Sequence, residues 1–580
     1  MVRRTLTIRG TLLALLCGLL LVAPPDRAGA ADPVAVEHRF TASDGVELAA
    51  TLTSQGPVQA KPTVVEFSPY GRGSQTLTVG PAYNYLLVQI RGTGDSDGRF
   101  DALGPASQRD VVEVLEWACA QPFSDGRLAV NGFSASAIVL YNSWHQELPC
   151  VEAAIMKSGT HELYRDLLVP GGIANLVPGA GVLALIGGVA LAQGPDRIVR
   201  DPQSSTDILA GLFDSGLDAG LRHRSLDVWW QERGWRGDAN DIPVLMINGF
   251  FDVESRGAFQ AYRALEDDGA HLLMAGGHDG VPVGTDGGAA EAAAWLDHFV
   301  RGVDNGVETH PRVQLLMSNG DREEYLRGDL SRASGDSWPL PGTSWTPLTL
   351  DARRSGSARS LNDGSLSLTR PAAAVRQSYV SLPSIPTMTD VPNAAIVGAA
   401  GLNALFDLVP ALSEMNVAEA LGLTYTTPAL QQDVVAAGPL SLELPLAATV
   451  PETGIWAVLS DVAPDGTSHP LTVGRLSTAY PNVVESRSLL DDDGEIVQPY
   501  GDYSVRSPAA FKERTYRVEL WPVGNRFEVG HRIRLQIVGV SAASPLSLPA
   551  VSTIRVGGPT GARLLFPVLP GSDLAGALGG

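Results

Sequence analysis

Six short apolar runs, bracketed by turn residues and separated by longer stretches of helical periodicity, constrain this chain more than any other feature. They are Thr63 to Phe67, Tyr85 to Ile90, Leu128 to Asn131, Ala153 to Met156, Val244 to Asn248 and His271 to Ala275. A strand that is apolar on both sides must be covered on both sides, so the runs predict a mostly parallel sheet in an α/β architecture. Between the second and third runs, Val111, Val112, Leu115 and Trp117 recur at helical spacing and predict a helix over Gln108 to Ala120.

The rhythm breaks twice. From Gly159 to about Ala239 the pattern reads as an inserted helical cap, containing the uncharged run Leu167 to Gly194 and later Trp229, Trp230 and Trp235. That run is long enough to cross a bilayer, but Pro170, Pro178 and its glycines argue for broken cap helices, so no stable membrane span is expected. After Trp338 the segments Thr346 to Leu350, Trp456 to Ser460, Tyr516 to Leu520 and Ile533 to Val538 read as strands. They predict an all-β domain over 346–580, sandwich or jelly roll, with an apolar insertion at about Ala394 to Leu421. At 580 residues the chain exceeds what one core supports, which is roughly 250 to 300 residues, so separate domains over 31–345 and 346–580 are the expected division.

Residues 1–30 read as an export signal: Arg3, Arg4 and Arg9 precede an apolar stretch from Leu12 to Val22 and an Ala28-Gly29-Ala30 cleavage pattern. Arg3-Arg4 also fits a twin-arginine signal, whereas Leu16 before Cys17 argues against a lipoprotein. Removal of this segment, with its four arginines and one aspartate, takes the formal charge from −21 to −24. A chain this acidic lacks the basic face that nucleic acid requires. Cys119 and Cys150 then remain, a pair that permits one disulfide in an oxidising compartment, with two buried thiols as the alternative.

The chemistry concentrates around Val130-Asn131-Gly132-Phe133-Ser134-Ala135-Ser136-Ala137, a strand, a small-residue turn and then an apolar helical stretch from Ile138 to Trp144. Such an elbow strains the serine and presents its hydroxyl, as in an α/β-hydrolase core, although Ser136 stands where the last glycine of Gly-x-Ser-x-Gly is usual. A serine hydroxyl needs a base, and the base needs a carboxylate to hold its tautomer. In this fold they follow the serine in the order Asp, His, each just after a strand. Asp252 follows the fifth run and His278 the sixth, and glycines around His278 leave room for its ring. Asp252 could instead cap a helix, Asp279 and Glu254 are rival acids, and His145 and His298 read as surface or packing residues. The backbone N–H of Ala135 is one oxyanion donor, while Tyr70, in the loop after the first run, is either a second donor or a substrate-contacting aromatic. Trp229, Trp230 and Phe251 are candidates to line a substrate pocket. Arg91 to Gly98 lacks the lysine and helix start of a phosphate loop, no metal-ligand spacing is present, and neither a cofactor nor a metal is implied.

With these residues in place the sequence resembles the CocE/NonD hydrolases, the group of cocaine esterase, α-amino-acid ester hydrolases and X-Pro dipeptidyl-peptidases. The landmarks are Ser68-Pro69-Tyr70, Arg91 to Gly98 with Phe100, Glu116-Trp117, Gln121-Pro122-Phe123, the Ser134 elbow, Asp252, Trp295 to Phe299, Asp304-Asn305-Gly306, Asp461 to Gly466 and Gly530-His531-Arg532. The resemblance implies Ser134 as nucleophile, His278 as base, Asp252 as orienting acid, and the Tyr70 hydroxyl with the Ala135 N–H as oxyanion hole. It implies a helical cap, a C-terminal jelly roll, and hydrolysis of an ester, amide or short peptide with water as second substrate. The group commonly has Tyr after the serine and Gly at the last elbow position, so Ala135 and Ser136 are expected to reshape the acyl pocket. An acyl ester is the first expectation and an X-Pro-type dipeptide the alternative. A non-catalytic carbohydrate-binding surface protein is the reading from another class.

Overall fold

In a computed structural model of the protein, residues 33–175, 186–190, 192–193, 195–200, 202–212, 222–277, 286–381, 412, 414–539 and 549–579 are described. The expected export signal, His278 and Asp279, and residues 394–411 of the apolar insertion lie outside them.

The first sheet has ten strands: β1 (Pro33–Thr41), β2 (Glu47–Gln55), β3 (Lys61–Ser68), β4 (Asn84–Gln89), β5 (Ser124–Phe133), β6 (Val151–Lys157), β7 (Val244–Asn248), β8 (His271–Met274), β9 (Val313–Met317) and β10 (Ser331–Gly335). Their order is β1-β2-β4-β3-β5-β6-β7-β8-β9-β10. From β4 through β9 the neighbours are parallel, and the antiparallel pairs lie at the two edges. The six predicted runs fall on β3 to β8. Helices α1 (Pro105–Cys119), α2 (Ala135–Ser143), α3 (Ser255–Leu265) and α4 (Ala289–Phe299) cover the sheet. Leu128 and Val130 of β5 pack into one core with α1, α2 and α3, while the intervening Ala129 packs into another with Trp295 and Leu296 of α4. Alternate side chains of a strand point to opposite faces, which is why these strands are apolar throughout. A disulfide joins Cys119, at the end of α1, to Cys150, before β6, with Cα atoms 6.2 Å apart.

Between β6 and β7 the described chain is a wide helical turn at Leu163–Leu168, a tight turn at Pro170–Gly172, and short helices at Pro195–Arg200, Ser204–Leu212 and Val228–Gln231. No helix among the described residues is long and apolar enough to cross a membrane.

The second half contributes β11 (Ser344–Asp351), β12 (Asn362–Ser367), β13 (Val375–Ser381), β14 (Leu423–Thr426), β15 (Val434–Ala448), β16 (Gly454–Val462), β17 (Ser468–Ser477), β18 (Leu489–Leu490), β19 (Ile496–Gln498), β20 (Arg514–Phe527), β21 (Arg532–Val538), β22 (Ala550–Val556) and β23 (Arg563–Val568). Pairing runs β15-β20-β17-β16-β21-β14-β12-β11-β23, and β23 returns to β15, so nine strands close into a barrel. β22 and β13 extend from β15 as a side sheet, and β18 pairs with β19 alone. The jelly-roll expectation thus narrows to a separate β-rich domain with a closed ring, a form without open edges.

A buried arginine lies where the two halves meet. Arg256 of α3, 2% exposed, donates to Asp166 at 2.7 Å and to Glu519 of β20 at 2.8 Å, with Glu162 at 3.7 Å. Burial works against its charge, but Glu519, Asp166 and Glu162 outweigh that and hold its pKa well above the ordinary arginine value. Around it Gln498 donates to Glu519 (2.8 Å), Tyr500 donates to Glu162 (2.9 Å), and Arg165 lies 3.7 Å over the Tyr500 ring. Removing one partner of a buried ion pair strands the others without compensation. Arg256→Ala should therefore lower unfolding free energy by about 3–5 kcal/mol, read as a fall in the urea midpoint, whereas Arg327→Ala at an exposed pair should change it by less than about 1 kcal/mol.

Candidate active site

Ser134 occupies the junction between β5 and α2 with φ 54° and ψ −124°, a backbone conformation that L-residues rarely adopt. Its N–H donates to the Lys157 carbonyl at the end of β6 (3.0 Å), and its own carbonyl accepts from Ala137 and Ile138 at 2.9 and 3.0 Å. A Cβ on Gly132 would lie 2.6 Å from the Ala137 backbone, and one on Gly159 would lie 2.6 Å from the Ala137 side chain. The sharp turn therefore depends on small residues both along the chain and across from it. Ser136 is fully buried, and its hydroxyl has no hydrogen-bond partner among the described residues.

Tyr70 lies in the loop after β3, and its hydroxyl oxygen is 3.2 Å from the Ala135 nitrogen, accepting from that N–H. Burial around the hydroxyl pushes its pKa up to about 12, partly offset by hydrogen bonds to the Ser134 side chain and to Ala135. The phenol is thus neutral, and its oxygen accepts from both the Ser134 side chain and the Ala135 N–H.

Asp252 is fully buried in the turn between β7 and α3, with Oδ1 accepting from the Glu254 N–H at 2.8 Å. The loops after β7 and β8 are laced together: Ala275 N–H donates to Asn248 O (2.6 Å), Phe251 N–H donates to Gly276 O (3.3 Å), and Phe251 bridges Gly277. Gly277 thus lies beside Phe251, the residue adjoining Asp252. His278 and Asp279 themselves lie outside the described residues. Glu254 is buried and lies close enough to Tyr70 and Tyr141 for its charge to raise both phenols.

The pocket candidates separate. Phe251 is buried against Tyr325, with ring centroids 5.0 Å apart, and Tyr325 in turn feels the charge of Asp252. Trp230 is a packing residue: its indole N–H donates to the His223 carbonyl (2.6 Å) and its ring meets the edge of Tyr164. Trp229 stacks on His223 and Arg233 and lines a cleft of about 320 Å³ with Phe100 and Arg99, a cleft whose walls include none of Ser134, Tyr70 and Asp252. His298 packs beside Val303 and Glu308, and His145 is half-buried. Among the described residues no cluster of three or more His, Cys, Asp or Glu is arranged to hold a metal ion.

Residues 44–280 match the X-Pro dipeptidyl-peptidase (S15) family, and residues 305–549 match the X-Pro dipeptidyl-peptidase C-terminal non-catalytic domain. The chain belongs to the CocE/NonD family of serine hydrolases. It is 23% identical over 551 residues to cocaine esterase of a Rhodococcus species, covering 85% of this chain and 88% of that one. A putative serine esterase of Mycobacterium tuberculosis is also 23% identical, over 560 residues and 82% of each chain. In fold it is similar to a CocE/NonD hydrolase from Staphylococcus aureus, with TM-score 0.70 at 16% identity over 93% of this chain and 94% of that one.

Within this CocE/NonD chain, sequence reasoning passed over Arg256. It stands four residues after Asp252 and one turn before Phe259, on the inward side of α3, and that placement was the available signal. The linkage of Tyr70 has a definite sign. Because folding raises its pKa from 10 to about 12, the protein keeps that increment of stability below about pH 10 and loses it as pH rises through 12. Wild type should therefore lose stability faster than Tyr70→Phe above pH 10 in urea titrations, with the two curves parallel at pH 7 to 9.

Proposed function

We propose that Ser134, His278 and Asp252 form a catalytic triad, with the Tyr70 hydroxyl and the Ala135 N–H as oxyanion hole. The observation that carries the reading is the strained serine with the Tyr70 hydroxyl and the Ala135 N–H converging beside it. Ser134 Oγ attacks an acyl carbonyl while His278 takes its proton, held in the required tautomer by Asp252. The carbonyl oxygen becomes an oxyanion; the Tyr70 O–H rotates toward the developing charge, and the fixed Ala135 N–H takes it as acceptor in place of the phenol oxygen. His278 protonates the leaving group, then takes a proton from water, whose oxygen attacks the acyl-enzyme; the acyl–Oγ bond breaks, the acid leaves, and His278 returns the proton to Ser134 Oγ. A phenol with a pKa of about 12 holds its proton through this cycle at neutral pH.

The substrate we favour is a carboxylic ester with an apolar acyl or alcohol part, supported by the esterase relatives and by the apolar cap sequence. The second reading, a dipeptidyl-peptidase, draws support from the S15 match and from Glu254, a buried carboxylate within electrostatic reach of Tyr70 of the kind a free α-ammonium requires. We also propose that the protein is exported, with the segment 1–30 as its signal. The Cys119–Cys150 disulfide supports an oxidising destination.

Ser134→Ala should abolish turnover of p-nitrophenyl esters and labelling by a fluorophosphonate, and Asp252→Asn should lower kcat by about 10⁴. Full activity and labelling in Ser134→Ala would end the assignment. A panel of short esters, α-amino esters and X-Pro anilides separates the two substrate readings, since only the dipeptidyl reading requires anilide turnover that Glu254→Gln removes.

A further inference from the structure

The loop that carries Tyr70 accounts for most of its own backbone. The Tyr70 N–H donates to Ser68 Oγ at 3.1 Å, the Gly71 carbonyl accepts from Ser74 Oγ at 2.7 Å, and the two serine hydroxyls meet at 2.8 Å. The next N–H in line, that of Arg72, is satisfied from far along the chain: it donates to Gln193 Oε1 at 2.6 Å. Gln193 belongs to the cap, where residues 186–190 and 192–193 are helical. Val189, one helical turn earlier, touches the same spot, and the space a Cβ at Gly71 would need is filled by the Gln193 amide and Val189 Cγ1. Gly71 has φ 82°, so the bare, left-handed residue is what lets the cap amide reach the loop.

On its other side the loop is pinned by the turn from Arg91 to Gly98, for which the reaction has no direct use. Arg72 pairs with Asp95 (Nε to Oδ2 2.6 Å). Asp95 is held in turn by its N–H on Gln89 Oε1 (2.9 Å) and by its carbonyl, which accepts from Arg39 (2.9 Å). The Tyr70 loop is therefore clamped between a sheet-borne turn, through the Arg72 side chain, and the cap, through the Arg72 main chain.

We propose that Gln193 is a positioning residue for the oxyanion hole: by accepting the Arg72 N–H it fixes the Tyr70 loop from the cap side and couples the seating of the cap to transition-state stabilisation. This rests on the reading of Tyr70 as an oxyanion donor. A group that only places a donor affects the transition state and not ground-state binding, and a small displacement of a donor is costly.

The test compares purified Gln193→Leu, Gln193→Glu, Tyr70→Phe and the double variant Tyr70→Phe/Gln193→Leu on p-nitrophenyl butyrate, with Tm measured for each. Gln193→Leu should lower kcat by about tenfold to a hundredfold with KM within about twofold and Tm unchanged. Gln193→Glu, which keeps an acceptor oxygen for Arg72, should retain most of the activity, and Gln193→Leu should add nothing in the Tyr70→Phe background. If Tyr70→Phe keeps wild-type kcat, the oxyanion reading itself falls. If Tyr70→Phe loses activity but Gln193→Leu does not, or raises KM alone, or adds its full effect in the double variant, the positioning role is overturned while the oxyanion reading stands. A lowered Tm in Gln193→Leu together with equal loss in Gln193→Glu would assign the residue to cap folding instead.

Discussion

Arg256 is the interaction on which the arrangement of the molecule depends. A guanidinium with 2% exposure is stable only if carboxylates surround it, and here they come from the root of the cap (Asp166 and Glu162) and from the barrel (Glu519). The arginine itself starts the helix that follows the Asp252 turn. One charge thus sets the distance between three segments that lie far apart in sequence, and its planar donor fork, unlike an ammonium, sets their angles as well. Phe250, two residues before Asp252, packs against the Gly524 backbone of β20 where any side chain would collide. Ser318 at the end of β9 bridges Asn525, whose amide donates to the buried Asp461 at 2.9 Å. The barrel is therefore the back wall of the acid loop.

Strain at Ser134 needs a comparable over-determination. A non-glycine residue at positive φ persists only if its surroundings hold it. Here the β6 carbonyl takes its N–H, the first turn of α2 takes its carbonyl, and glycines at 132 and 159 remove the atoms that would push the turn open. Ser136 shows how far the elbow tolerates change: the last position of Gly-x-Ser-x-Gly accepts a buried Cβ and hydroxyl here, and the close approaches fall at Gly132 and Gly159.

What could be read from the sequence follows from how local the cause is. Strands β3 to β8 were legible because burial on both faces writes an unbroken apolar run into each, and the elbow was legible because its steric demand falls on adjacent residues. β1 was missed since it is an edge strand whose residues are mostly exposed, Val34 at 40% and Val36 at 36%, and so carries no alternation. Barrel closure was also out of reach, because the pairing of β23 with β15 joins residues more than a hundred positions apart and leaves no periodic trace. Trp229 and Trp230 looked like pocket walls, but the acceptor of the Trp230 N–H is a backbone carbonyl, which no side-chain pattern reveals. Arg256 was passed over because a single arginine in a helix is usually a solvated one. The position of Asp252 in a turn just after a strand was legible from the fifth apolar run, and Phe251 beside it meets Gly276 and Gly277 of the loop after β8.

Each of the proposed catalytic groups is backed by a different portion of the chain. Ser134 is set by the central sheet, Asp252 by the barrel, and Tyr70 by the Arg91 to Gly98 turn together with the cap. Such a division accords with a framework shared with a CocE/NonD hydrolase at only 16% identity. The residues that maintain geometry are buried and mutually committed, so a change at one leaves unpaired charge or a steric clash. Ala135 and the apolar cap residues Leu167, Val169 and Ile186 carry no charge and pack in the hydrophobic core. A conservative apolar change there strands no charge and leaves the Ser134 turn intact, provided the cap keeps the Gln193 contact to the Tyr70 loop.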